Sequence, residues 1–143
     1  MDETFDPLKL ENQLCFPLYA ASKALIRRYE PLLEPLGLTY TQYIVMLVMW
    51  EKKSLTVNEL GECVCLDSGT LSPLVKKLEE RGYLCKSKAE DGRFRILTLT
   101  EEGEALKEKA KPIPAAIGSC LNLSPEEALT LYRLCYKTLQ GIQ

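Results

Sequence analysis

The chain has 143 residues, 46% of them apolar and 27% charged, with 20 acidic against 18 basic side chains and a net charge of −2. That is the balance of a single soluble globular domain, and it excludes a protein that holds nucleic acid by bulk attraction. No apolar run reaches membrane-spanning length and MDETFDPLKL is not a signal peptide, so a cytoplasmic location without membrane contact is expected. The six cysteines are then not expected to build a disulfide framework.

Leu8–Tyr29 carries Leu14, Leu18, Ala21 and Leu25 at helical spacing and predicts a first helix. Pro17 inside it removes a hydrogen bond and is expected to kink the helix near Cys15. Pro31 and Pro35 bound a short connection that Gly37 ends. Thr39 with Gln42 forms a capping box, opening an apolar helix through Tyr43, Val45, Met46, Val48, Met49 and Trp50. Thr56 with Glu59 is a second box. The short helix it starts has Val57, Leu60 and Val64 on one face and breaks at Cys65–Leu66.

Asp67 or Ser68 caps the next helix. Its Leu71, Leu74, Val75 and Leu78 face a core, while Ser68, Thr70, Ser72, Lys76 and Lys77 face out, and Gly82 after Arg81 stops it. Tyr83–Lys88 and Arg93–Leu99 alternate as strands around Asp91–Gly92, a hairpin signal. Thr100 caps a helix from Glu101 to about Lys111, which Pro112 and Pro114 interrupt. Ser124, Pro125 and Glu127 open a last helix, with Leu129, Leu131, Tyr132, Leu134 and Leu139 along it.

Two short helices, a tight connection and a basic hairpin outline a winged helix-turn-helix, a device that places one helix in a DNA major groove. Hydroxyls at the N-terminal end of the second helix can bond base edges or phosphates, and lysines behind them neutralise phosphates. By itself this helix fits an ordinary solvated surface helix equally well. The hairpin that follows, with Lys86, Lys88, Arg93 and Arg95, favours DNA. Residues 67–95 hold seven Lys/Arg and five Asp/Glu, so this head is +2 and the remainder −4. Such modest charge requires two heads in register. The expected fold is therefore mainly α (α+β). Residues 39–99 form the winged DNA-binding region, and 8–36 and 101–140 form helices of a dimerisation layer, because their surplus apolar surface calls for a second chain. A two-fold dimer would space its reading helices by about 34 Å.

Cys63 and Cys65 are two apart, without a partner pair or any histidine, a poor metal spacing. They are expected to pack under the helix-turn-helix, as are Cys85 and Cys135 within their own elements. Cys120 follows Gly118–Ser119 in a loop and is expected to be accessible. Cys15, on residue type alone, is best read as a small buried hydrophobe.

The segments LKLENQLCF (8–16), LTYTQY (38–43), WEKKSLTVNELGE (50–62), LDSGTLSPLVKKLEERG (66–82), EDGR (90–93) and LTEEG (99–103) give the chain its resemblance to the multiple-antibiotic-resistance regulator (MarR) family. Within it the chain resembles the organic-hydroperoxide-sensing repressors (OhrR). The resemblance covers nearly the whole length and implies a homodimeric repressor, not an enzyme, on pseudo-palindromic double-stranded operator DNA, with neither cofactor nor metal. It makes Asp91 and Arg93 the wing signature and Cys15 the sensor, oxidised by an organic hydroperoxide with release of DNA. Tyr29 and Tyr40 match tyrosines that bond the thiolate across the dimer, with Tyr19 close by. In one branch a second cysteine near the position of Cys120 resolves the oxidised one in an intersubunit disulfide, although the local sequence departs from that branch's pattern. The other partner for an oxidised Cys15 is a low-molecular-weight thiol. The alternatives are a regulator of the same fold released by a small aromatic acid, and a thiol peroxidase using Cys15, against which the chain shows no recycling motif.

Overall fold

The computed structural model describes residues 5–143, so the first four residues of MDETFDPLKL lie outside it. The first helix, α1, is Cys15–Leu33 and does not begin at Leu8. Before it the Asp6 carboxylate accepts from the Leu8 N–H and the Gln13 amide donates to the Lys9 carbonyl. Local bonds of this kind compete with helix, and only a 3-10 turn at Leu10–Asn12 forms there. Pro17 therefore falls third in α1, where its missing N–H would have had no intrahelical partner, so it breaks no hydrogen bond. The interior proline is Pro31, which α1 runs through before a 3-10 turn at Glu34–Leu36 and the left-handed Gly37.

Both early capping boxes form as read. Thr39 accepts from the Gln42 N–H and opens α2 (Tyr40–Lys52), and Thr56 accepts from the Glu59 N–H and opens α3 (Val57–Val64). A strand, β1 (Ser54–Thr56), lies between them. Three residues are too few to show an alternation, and sequence reasoning missed it. Cys65 ends α3 in the left-handed region (φ 57°), and the Leu66 N–H returns to the Gly61 carbonyl at 3.1 Å. Gly61 keeps this approach open, since a Cβ there would stand a tight 3.0 Å from the Leu66 carbonyl oxygen.

The reading helix α4 (Ser68–Glu80) is capped by Asp67, whose carboxylate accepts from the Thr70 N–H at 2.7 Å. The wing strands are β2 (Leu84–Lys88), which starts one residue later than the alternation suggested, and β3 (Arg95–Leu99), which is two residues shorter at the tip. The sheet is antiparallel in the order β1-β3-β2, with Leu84 opposite Leu99, Lys86 opposite Leu97 and Lys88 opposite Arg95. The core forms where α2 meets these pieces: Val45, Met46 and Met49 are fully buried, with Leu60, Leu71, Val75, Leu78 and Leu97. Each such side chain contributes about 1.5–3 kcal/mol by leaving water.

Helix α5 (Glu101–Ala110) is capped by Thr100, which also donates to the Gly82 carbonyl at 2.6 Å. The buried indole of Trp50 fastens α5 to α2 by donating to the Gly103 carbonyl. Helices α6 (Ile113–Gly118) and α7 (Pro125–Ile142) follow, the latter opened by the Ser124–Glu127 box. By their internal contacts, residues up to Ile113 and residues Pro114–Gln143 form two compact units.

None of the residues of α7 is buried, and Leu131, Tyr132, Leu134 and Tyr136 stand open, Tyr132 at 61%. The start of α1 does the same with Phe16, Leu18 and Tyr19, and Leu14 just before it is 81% exposed. The expectation that Cys63, Cys65, Cys85 and Cys135 pack inside is wrong, since all six cysteines are exposed. The reason is geometric: Cys85 alternates with the inward Leu84, and Cys63 and Cys65 flank the half-buried Val64. Among the described residues no single helix is long and apolar enough to cross a membrane.

Candidate functional site

The reading face assembles from three elements. On α4, Leu71, Leu74, Val75 and Leu78 are buried, which turns Ser68, Thr70, Ser72, Lys76 and Lys77 outward as expected from their spacing. The wing reaches the same place through strand alternation. Leu84, Lys86 and Lys88 share one face of β2, and Arg95, Leu97 and Leu99 share the matching face of β3. That face is apolar against the core and becomes basic toward the wing tip.

Lys86, Arg93 and Arg95 meet Ser72 of α4, Asn58 of α3 and its cap Thr56 at the end of β1 around a groove of about 310 Å³. Lys86 is also 3.7 Å from Glu79, which holds it between α4 and the groove. Two acidic residues of the reading head, Asp67 and Asp91, make their bonds within the chain. The Asp67 carboxylate caps α4, and its pKa lies below the ordinary value because the Thr70 N–H bonds the charged form. Asp91 accepts from the Arg93 N–H at 3.0 Å and shapes the wing tip with the left-handed Gly92. Lys88 is exposed on β2 directly opposite Arg95. Sequence reasoning missed Asn58 and Phe94 as groove residues. The signal for Asn58 was its place two residues past the Thr56 cap, and for Phe94 a bulky apolar residue between two arginines.

The second locus is on α1 and α2. Cys15 is the first residue of α1 and is exposed. Tyr29 and Tyr40 do come together, with ring centroids 5.0 Å apart, and Tyr43 joins them at 5.6 Å from Tyr29. Tyr43 was read as core only, although it lies three residues past Tyr40 on the same helix face. Burial first, and then the neighbouring phenol, raises the Tyr29 pKa above its ordinary value. Burial and the same neighbours act likewise on Tyr43. These phenols remain protonated donors at neutral pH.

Tyr19 is not part of that cluster. It stands one turn from Cys15, exposed, with the Lys23 ammonium 3.1 Å from its hydroxyl. Cys15 and Tyr29 are fourteen residues apart on one helix, roughly 21 Å at 1.5 Å per residue. The tyrosine cluster of one chain is thus out of reach of its own Cys15. Beside Tyr40 an open groove of about 680 Å³ is lined by Ile26, Leu38 and two carboxylates, Glu30 and Glu34. Cys120 follows α6, exposed, with its thiol donating to the Ala116 carbonyl at 3.3 Å.

A family model described as transcriptional regulator SarA/Rot matches residues 27–110. An organic hydroperoxide resistance transcriptional regulator of Bacillus subtilis is 44% identical over 99% of this chain and 97% of its own. The chain belongs to this MarR-type family of transcriptional regulators, in its organic-hydroperoxide branch. Two solved structures are close to the regulator in fold. One, of reduced AbfR bound to DNA, is 35% identical with a TM-score of 0.78 over 94% of both chains. The other, of disulfide-formed AbfR, is 35% identical with a TM-score of 0.68, covering 93% of this chain and 91% of that one.

Proposed function

We propose that the protein is a homodimeric, cytoplasmic repressor that binds a pseudo-palindromic operator when reduced and releases it when Cys15 is oxidised by an organic hydroperoxide. The observation that carries the reading is the exposed Cys15 at the start of α1 in a chain 44% identical, end to end, to a regulator named for organic hydroperoxide resistance. On the operator, Ser68, Thr70 and Ser72 reach base edges, while Lys76, Lys77, Arg93 and Arg95 meet phosphates. The apolar sides of α7 and of the start of α1 are covered by a second copy. In that dimer Tyr29 and Tyr40 of the partner subunit serve the Cys15 thiolate.

In the sensing step the thiolate sulfur attacks the terminal, hydrogen-bearing oxygen of the hydroperoxide. An S–O bond forms as the O–O bond breaks, and sulfur gives up two electrons. The alkoxide takes a proton and leaves as an alcohol, and Cys15 remains as a sulfenic acid. A second thiol, Cys120 of the partner subunit or a small cellular thiol, then condenses with it and water departs. The reading with a small aromatic acid is disfavoured by the groove beside Tyr40, where Glu30 and Glu34 would repel a carboxylate.

The test is operator binding by reduced protein, repeated after one equivalent of cumene hydroperoxide. Release in the native protein and none in Cys15→Ser is expected. Release that persists in Cys15→Ser would overturn the sensing assignment, and a stable monomer in sedimentation at micromolar concentration would overturn the dimer.

A further inference from the structure

The corner from Glu34 to Thr39 joins α1, which carries Tyr29, to α2, which opens with Tyr40. Gly37 stands at its apex in the left-handed region (φ 68°), between the buried Leu36 and Leu38. The Gly37 N–H stays local and donates to the Glu34 carbonyl at 2.9 Å. The Gly37 carbonyl does not, for it accepts from the guanidinium of Arg81, 44 residues further along. Arg81 is the C-cap of α4, and its guanidinium carbon also lies 5.7 Å from the centre of the Tyr83 ring. The reading helix is thus tied at its C-terminal end to the corner between the two tyrosines. A side chain at position 37 would close this approach, since a Cβ there would stand 2.7 Å from the guanidinium carbon.

We infer that Arg81 is a positioning residue that couples the tyrosine locus to the reading helix: it binds the corner between Tyr29 and Tyr40 to the end of α4, so that a shift of Tyr40 against Tyr29 turns the helix. The inference rests on the sensing role proposed for Cys15 and goes beyond it by naming the residue that passes the signal on. Phenols that donate to a thiolate hold it by a hydrogen bond to a charged acceptor, which is stronger than one to the neutral sulfenic acid that oxidation leaves. Oxidation therefore loosens what fixes Tyr40 at the start of α2, and the corner is the stretch of chain that takes up the change. A guanidinium that grips the Gly37 carbonyl hands that change to α4. The helix is rigid, and it carries the displacement from Arg81 to Ser68, roughly 20 Å away along the axis at 1.5 Å per residue. Ser68 is the end where the base-reading hydroxyls stand.

The experiment measures operator affinity by fluorescence anisotropy for the full-length protein, reduced and after one equivalent of cumene hydroperoxide. Native protein, Arg81→Met, Arg81→Lys, Gly37→Ala and the double variant Gly37→Ala/Arg81→Met are compared, and the oxidation rate of Cys15 is followed in each by dimedone trapping. In Arg81→Met the rate of oxidation should stay native, while the ratio of reduced to oxidised affinity should fall by about tenfold, the size of one coupling contact. Arg81→Lys keeps a cationic donor and should recover most of the native ratio. Gly37→Ala should lower the ratio as Arg81→Met does, and the double variant should lower it no further. Each ratio compares a variant with itself in two states, so a loss of folding common to both cancels. A native ratio in Arg81→Met would overturn the inference. So would a loss of affinity equal in the two states, which is all that a merely structural contact would give, or a slowed oxidation of Cys15. The native protein separates the two ideas. Native Cys15 that does not oxidise, or that oxidises without release of DNA, removes the sensing role and this inference with it. Native release that survives unchanged in Arg81→Met removes the inference alone.

Discussion

Tyr29 and Tyr40 face one another from α1 and α2 with ring centroids 5.0 Å apart at an angle of 54°. The pair is preformed within one chain by packing, and Tyr43 supports it from the next turn of α2. A donor pair that exists before a partner arrives loses less freedom when it binds a thiolate. Replacing Tyr29 or Tyr40 by Phe keeps the rings and removes one hydrogen bond to a charged group, about 1.5 kcal/mol, or roughly tenfold in rate. Each variant should slow the oxidation of Cys15 by that factor, followed by trapping the sulfenic acid with dimedone. Native rates in both would assign the tyrosines to packing alone.

The pH profile of stability should have two limbs. The Tyr29 and Tyr43 pKa values are raised by burial, so the stability tied to their protonated forms is complete below the ordinary tyrosine pKa and lost as pH rises past it. Asp67, Glu104 and Glu127 are lowered instead, by the Thr70 N–H, by Lys53 and by the Ser124 N–H respectively. Their contribution is present above the ordinary carboxylate range and lost as pH falls through the folded values. Urea unfolding should therefore give a plateau between about pH 5 and pH 9, falling on both sides. Asp67→Asn keeps a capping oxygen without the titration and should shrink the acid limb. An acid limb unaltered in that variant would mean the cap bond is not ionic.

Trp50 and Gly103 tie α5 to the winged unit. The buried indole N–H donates to the Gly103 carbonyl at 2.8 Å, and a Cβ at Gly103 would stand 2.4 Å from the Tyr83 carbonyl oxygen. The obstacle is backbone, so Gly103→Ala must displace α5 and should cost about 2 kcal/mol. Trp50→Phe leaves the carbonyl buried without its donor and opens a gap, with a loss of similar size. Thermal melts of the two variants decide this. A Gly103→Ala protein as stable as the native one would show that α5 can slide freely.

What the sequence revealed depended on how local the cause was. Thr39, Thr56, Asp67, Thr100 and Ser124 each cap within three residues of themselves, and all five helix starts were legible. The start of α1 was not, because Asp6 and Gln13 divert the backbone before Cys15, and that displacement turns Pro17 from a kink into a first-turn residue. Strand β1 exists only because β3 returns to pair with it, from 40 to 44 residues further along the chain. Asn58 enters the groove by the same closure. For Cys63, Cys65 and Cys85 the residue type suggested burial, and only the faces of α3 and β2 reveal otherwise. Tyr29 and Tyr40 came from the resemblance, since no spacing along the chain brings positions 29 and 40 together.

Arg93 belongs to the wing tip, exposed, with its N–H taken by Asp91 and its side chain at the groove beside Ser72. Arg93→Ala should weaken binding to every DNA sequence alike and reduce the slope of affinity against salt by about one for each phosphate lost. Ser72→Ala should instead change sequence preference and leave the salt slope alone. Titration of two operators and one unrelated duplex at several salt concentrations checks both. Affinity and slope both unchanged in Arg93→Ala would take the wing out of the interface.

The last expectation concerns Cys120. A sulfenic acid at Cys15 is trapped by whichever thiol reaches it first. Cys120 is exposed at the end of α6, and its thiol leans on the Ala116 carbonyl instead of being packed away. A disulfide needs the two Cα atoms within roughly 7 Å. If Cys15 of one subunit reaches Cys120 of the other, the pull falls on α1 and on the segment joining α6 to α7. The start of α1, and α7 into which that segment leads, carry the open apolar faces assigned to the dimer, so the change would alter the spacing of the two reading helices and release DNA. One equivalent of organic hydroperoxide followed by non-reducing electrophoresis should show a covalent dimer, absent in Cys15→Ser and in Cys120→Ser. A monomeric band with Cys15 modified, together with normal DNA release in Cys120→Ser, would give the resolving role to a small thiol. Adding such a thiol to Cys120→Ser should then leave Cys15 as a mixed disulfide, read as a mass increase on the Cys15 peptide.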